Sequence, residues 1–169
     1  MTIKKWVFTV TFPLTLFTGA LALGQFSDLF LPSVPTIDVA ELAAAMDRGE
    51  LAVDGATGKK AYLLVDVRDD NEVAVSMIPG AITKTDYEEN RARYASYRII
   101  PYCTVGYRSG KYTQTLMKQG IDAVNFEGSI MGWVEAGGRL VTRDGQETRR
   151  VHTWSRQIAA PPGYEQVVE

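Results

Sequence analysis

Imidazole and thiol are the scarcest groups in this 169-residue chain, which has one histidine, His152, and one cysteine, Cys103. A single cysteine excludes an internal disulfide. One of each excludes a zinc site assembled from several His and Cys ligands, so no metal is implied. A Cys–His catalytic pair would require His152 to fold back onto Cys103. Neither charge is in excess: 18 Lys and Arg stand against 20 Asp and Glu, a net charge of −2, so no basic surface recommends a nucleic acid partner. Internal repeats and low-complexity tracts are absent too. With 46% hydrophobic and 22% charged residues, the chain is neither a disordered nor a multi-span membrane protein, and its length suits one domain with a targeting segment or tail.

The hydrophobic residues are unevenly spread. From Trp6 to Ser27 there are 22 residues without a charge, preceded by Lys4 and Lys5. A positive start, an apolar run and the small residues Ala20 and Ala22 around Leu21 form the pattern of an export signal over residues 1–24. Residues 6–27 are also long enough to persist as a membrane anchor, since about 20 residues cross a bilayer. Both forms place the domain outside the cytoplasm, periplasmic or membrane-anchored, because the two lysines hold the N-terminus inside. Residues 25–35 form a linker, with Pro32 and Pro35 favouring extended chain.

The folded domain is expected over residues 36–141, followed by a tail over 142–169. Asp38 is placed to cap a helix over Val39–Arg48, whose apolar residues recur at spacings of three and four. Gly55–Gly58 makes a loop. The apolar run Ala61–Val67 is expected as a strand buried on both faces, and Asp69, Asp70 and Asn71 as the start of a short helix containing Glu72. Ile78–Gly80 turns the chain into Ala81 and Ile82, and a charged amphipathic stretch runs from Asp86 to about Tyr94. A strand over Tyr97–Tyr102 delivers Cys103, and a helix over Ser109–Gln119 ends at Gly120. A strand over Ile121–Phe126 and a helix over Ser129–Ala136 complete the pattern. Strands alternating with helices predict an α/β fold, a central mostly parallel sheet covered by helices on both faces, with ligands at the carboxyl ends of its strands.

Strand, Cys103, loop and helix form the chemically telling sequence. A cysteine at a strand end, followed by a turn of inward amides and a helix start, sits in positive potential that favours the thiolate. Gly106 suits the sharp bend, and Arg108 brings a fixed charge to the same loop. The tail is expected either to add a strand around Val151–Trp154 or to remain mobile, with His152 in solvent.

Cys103-Thr-Val-Gly-Tyr-Arg-Ser109 resembles the active-site loop of the rhodanese family. Asp66-Val-Arg68 with Glu72 and Ile78-Pro-Gly-Ala81 is similar to that family's opening motif, and Glu127-Gly-Ser-Ile-Met-Gly-Trp133 with Ala136-Gly137 to its closing one. Ser76-Met77 stand where many members have Gly-His. The resemblance implies a sulfurtransferase moving a sulfane sulfur from a thiosulfate-like donor to cyanide or a thiol through a persulfide on Cys103, with no cofactor. It makes Thr104, Val105, Gly106, Tyr107, Arg108 and Ser109 the substrate-binding loop and leaves Asp66 and Arg68 structural beside it. Two duties stand open for Arg108, anchoring the donor's charge or fixing the loop by a salt bridge. Related phosphatases carry a loop one residue longer than this Cys-x4-Arg, as a tetrahedral phosphate requires. A non-catalytic interaction module at the membrane is the alternative from another class.

Overall fold

The computed structural model describes residues 33–51 and 62–168. The expected export segment 1–24, most of the 25–35 linker and the Gly55–Gly58 loop lie outside the described residues. Strand β1 (Thr36–Ile37) precedes helix α1 (Val39–Asp47), which starts at Asp38 through a reciprocal cap. The Glu41 amide donates to the Asp38 carboxylate at 2.8 Å and the Asp38 amide to the Glu41 carboxylate at 3.1 Å. The buried strand β2 (Tyr62–Asp66) leads to α2 (Asp70–Val75), β3 (Ile82–Thr83) and α3 (Lys84–Glu89), with a 3-10 turn over Arg91–Tyr94. Strand β4 (Arg98–Tyr102), α4 (Tyr107–Lys118), β5 (Asn125–Phe126) and α5 (Ser129–Glu135) follow.

Strands β3, β2 and β4 pair in parallel, β1 pairs in parallel with β5, and a parallel bridge between Ile99 and Ala123 continues the order from β4 towards β5. Alternation along the strands sends side chains to opposite faces. Leu64 and Ile100 pack with Leu42 of α1 and Ile130, Trp133 and Val134 of α5, whereas Leu63, Val65 and Ile99 pack with Tyr87, Tyr94, Tyr112 and Leu116. The chain therefore has the expected mixed α/β fold with both faces of a parallel sheet covered. Two local expectations differ. The strand expected over Ile121–Phe126 is regular only at its end. Helix α4 begins two residues before Ser109, because Gly106 at φ +93° turns the chain at once and the Gly110 amide already reaches the Gly106 carbonyl at 3.0 Å.

Beyond α5, β6 (Leu140–Val141) and β7 (Glu147–Thr148) form an antiparallel pair, and β8 (Arg150–His152) runs parallel to β9 (Glu165–Val167). The tail thus adds a strand where one was expected. His152 corrects its expectation: only 4% of it is exposed. Val151 is fully buried in the core beside Leu64 and Tyr102, so β8 lies tight against the domain, next to α2, and its next residue is enclosed with it.

Candidate active site

Cys103 directly follows the end of β4, and almost none of it reaches solvent. The Gly106 amide donates to its Sγ at 3.1 Å, and the hydroxyls of Ser109 and Ser129 stand 3.6 and 3.9 Å from the same sulfur. Burial by itself pushes the thiol up. The Ser109 amide and hydroxyl and the amides of Val105 and Gly106 outweigh that, holding the Cys103 thiol below its ordinary value. Glycine is required at 106 on two counts: its φ is +93°, and a Cβ there would stand 2.7 Å from the Glu127 carbonyl oxygen.

The turn into α5 clamps the cysteine from the other side. The Cys103 amide donates to Ser129 Oγ at 3.1 Å, that hydroxyl reaches the Phe126 carbonyl at 3.0 Å, and the Ile130 amide donates to the Cys103 carbonyl at 3.1 Å. Ser129 holds this position at φ +51°, a left-handed conformation that serine adopts at a cost.

Around the loop lies a ring of charge centred on the buried Glu72. Arg108 meets Glu72 with both ends of its fork, at 2.6 and 2.8 Å, and Asp69 at 2.9 Å. Thr104 donates to Glu72 at 2.6 Å and accepts from Arg108 at 3.0 Å. Burial pushes the Glu72 carboxyl up, but the bonds from Arg108, Thr104 and the Asp69 amide hold it below the usual range. Of the two duties open to Arg108, the structure displays the loop-fixing one. His152 does fold back, but onto this ring: its Nδ1 accepts from the Trp154 amide at 3.1 Å and lies 3.9 Å from Glu72 Oε1. Its Nε2 is buried without a partner among the described residues.

Asp66 and Arg68 lie beneath the site as a fully buried pair, 2.6 Å apart. Tyr102 donates to Asp66 at 2.6 Å and accepts from the Ile78 amide at 3.1 Å, and Arg68 also donates to the Ser76 carbonyl. This network ties β2 and β4 to the chain before Ile78, where Ser76-Met77 stand in place of the Gly-His of many rhodanese family members. Trp133 is a packing residue: its Nε1 donates to the Arg139 carbonyl at 2.8 Å, and a Cβ on Gly138 would collide with its ring.

Cys103, Thr104, Val105, Tyr107 and Arg108 line a pocket of about 400 Å³, together with Trp154 and Ile158 from the tail. Of the loop residues expected to bind substrate, Thr104, Val105, Tyr107 and Arg108 line the pocket, whereas Gly106 and Ser109 do not and instead contact the Cys103 sulfur. Sequence reasoning did not find Ser129, Trp154 and Ile158 as parts of it, nor Glu72 as its central carboxylate. They arrive through tertiary packing; Glu72 and Ser129 stood in motifs, whereas Trp154 and Ile158 stood in none.

The family model of the rhodanese-like domain matches residues 38–136. The Bacillus subtilis protein named "Putative sulfurtransferase YtwF" is 30% identical over 102 residues, covering 57% of this chain and 92% of its own. A tRNA uridine(34) hydroxylase of Ruegeria pomeroyi is 32% identical over 83 residues, 43% of this chain, which spans only 28% of that relative. The crystal structure of a thiosulfate sulfurtransferase from Pseudomonas aeruginosa superposes with a TM-score of 0.54 at 23% identity over 67% of this chain and 21% of the other, a likeness of fold.

Proposed function

The chain belongs to the rhodanese-like domain family, and from that membership we propose that it is a sulfurtransferase working through a persulfide on Cys103. The observation that carries this reading is a cysteine kept below its ordinary pKa although buried, with the Gly106 amide aimed at its sulfur from 3.1 Å. The thiolate attacks the outer sulfur of a sulfane donor, the donor's S–S bond breaks, and the remainder leaves with the bonding pair. The Cys103 persulfide then inherits the amides that held the thiolate, so charge stays solvated by fixed dipoles on both sides of the step. An acceptor thiolate or cyanide takes the outer sulfur and returns Cys103 to its thiolate. Nothing in this sequence of steps calls on a cofactor.

Intact-mass analysis tests the reading. Incubation with thiosulfate or an organic thiosulfonate should add one sulfur to Cys103, cyanide should remove it as thiocyanate, and Cys103→Ser should do neither while remaining folded. A demonstrably reduced Cys103 that accepts sulfur from neither donor refutes sulfur transfer. An alkylation profile centred near pH 8.5, the range of an ordinary thiol, would favour the interaction-module alternative. The proposal includes action outside the cytoplasm, supported by the sequence of residues 1–24. A reporter fused after Glu169 should be active only beyond the cytoplasmic membrane, and a cytoplasmic active fusion overturns that part.

A further inference from the structure

The walls of the Cys103 pocket do not match a compact inorganic anion. Among the described residues the large exposed hydrophobics are Val105, Tyr107, Met117 and Trp154, and three of these four border this one pocket. Exposed apolar side chains scattered singly are ordinary, but their convergence around a nucleophile marks a binding surface. Arg108 is the one cation lining the pocket, and it is already met by Glu72 and Asp69. A dianion entering there would face two carboxylates against one guanidinium. The Lys111 ammonium, the next cation along α4, sits 4.3 Å from the Tyr107 ring centroid and does not line the pocket.

The tail residues that complete the wall are held in place. Trp154 is 65% exposed, yet its backbone sits at φ +62°, where a tryptophan is strained. The strain persists because the turn is tied on both sides. The Trp154 amide is fixed to His152 Nδ1, the Thr153 amide donates to the Val167 carbonyl at 3.2 Å, and the Gln166 side chain donates to the Ile158 carbonyl at 2.9 Å. An aromatic ring is thus presented to the mouth of the site at little entropic cost on binding. Trp154 and Ile158 both lie beyond residue 136, where the family match ends.

We propose that the sulfur donor of this site is a small organic molecule with an apolar or aromatic group next to its sulfane sulfur, seated between Trp154, Ile158, Val105 and Tyr107. The proposal rests on the sulfur-transfer reading of Cys103 and specifies its substrate class. A pocket of about 400 Å³ suits such a molecule. For an organic thiosulfonate the step is balanced as follows. The Cys103 thiolate bonds to the terminal sulfur, the bond between that sulfur and the sulfonyl sulfur breaks, and the sulfinate leaves with the electron pair, one negative charge remaining on each product.

Benzenethiosulfonate and methanethiosulfonate share the reacting group and the charge and differ in ring against methyl. The ratio of their kcat/KM values on the full chain, with cyanide as acceptor, reads the apolar wall. Trp154→Ala should lower that ratio about tenfold, as expected for losing one packed ring face, with the larger loss falling on the benzene donor. Trp154→Phe should restore most of the preference, and Ile158→Ala should lower it to a smaller degree. The wild type should also use benzenethiosulfonate with a higher kcat/KM than thiosulfate. An unchanged ratio in Trp154→Ala, or a wild type that prefers thiosulfate, overturns the substrate class and leaves sulfur transfer standing. Absence of transfer from all three donors to a reduced Cys103 overturns both.

Discussion

Replacing Gly106 with alanine perturbs the cysteine loop at a residue whose amide donates to Cys103 Sγ at 3.1 Å. Two costs are expected. A side chain at φ +93° carries a left-handed penalty of about 1–2 kcal/mol. The new Cβ would stand 2.7 Å from the Glu127 carbonyl oxygen, about 0.7 Å inside the 3.4 Å at which ordinary contact begins, and overpacking of this kind costs about 1–3 kcal/mol. The sum, about 2–5 kcal/mol, is a large part of the roughly 5–15 kcal/mol that holds a domain folded. Gly120 provides the internal control. Its φ is +77° with nothing within 4 Å of a built Cβ, so Gly120→Ala should carry only the backbone penalty of about 1–2 kcal/mol. Urea unfolding of both variants separates the two terms, and Gly106→Ala should be the less stable by about 1–3 kcal/mol. Because the clash displaces the loop, the pH midpoint of Cys103 alkylation should also rise in Gly106→Ala and stay put in Gly120→Ala. Equal losses in the two glycines, together with an unchanged alkylation profile, would refute the view that the close approach to Glu127 sets the thiol's surroundings.

Two further perturbations probe the charged ring and the clamp. The Glu72 carboxyl is held below its ordinary value, so its contribution is complete above about pH 4.3 and disappears as pH falls through its folded value. Glu72→Gln should therefore be less stable than wild type at pH 7 by roughly 1–3 kcal/mol, with the gap narrowing by pH 3; an equal gap at both pH values refutes the carboxylate's role. Ser129→Ala removes the acceptor of the buried Cys103 amide and should lose about 1–3 kcal/mol in urea unfolding, whereas a loss below about 0.5 kcal/mol would show that another group satisfies that amide.

The elements that the sequence displayed were those whose signals are local. The apolar run ending in Asp66, the Asp38 cap of α1 and the glycine after Cys103 each dictate structure within a few residues, and each is found where its chemistry placed it. Strand β1 was not foreseen, since two residues have no periodicity and Thr36 and Ile37 are ordered by pairing with Asn125 and Phe126, nearly ninety positions on. The site divides in the same way. Its loop is contiguous and was legible, while Ser129 and Trp154 take part only through turns that hold them at positive φ. His152 illustrates the limit. A lone histidine in a polar tail reads as solvated, and only the insertion of Val151 into the core, with β9 beside it, encloses it against Glu72.

The pairing of β8 with β9 also sets the order in which the site can be assembled during synthesis. The turn bearing Trp154 and Ile158 is fastened by Gln166 and Val167 of β9, more than sixty residues after Cys103. A nascent chain emerging N-terminus first can assemble the parallel sheet and place Cys103 on its loop long before that fastening exists. Until β9 is released, the thiol is present and polarised but its mouth has only one wall. The proposed donor preference would therefore depend on β9, and removing that strand would leave Cys103 on its loop without the second wall of its pocket.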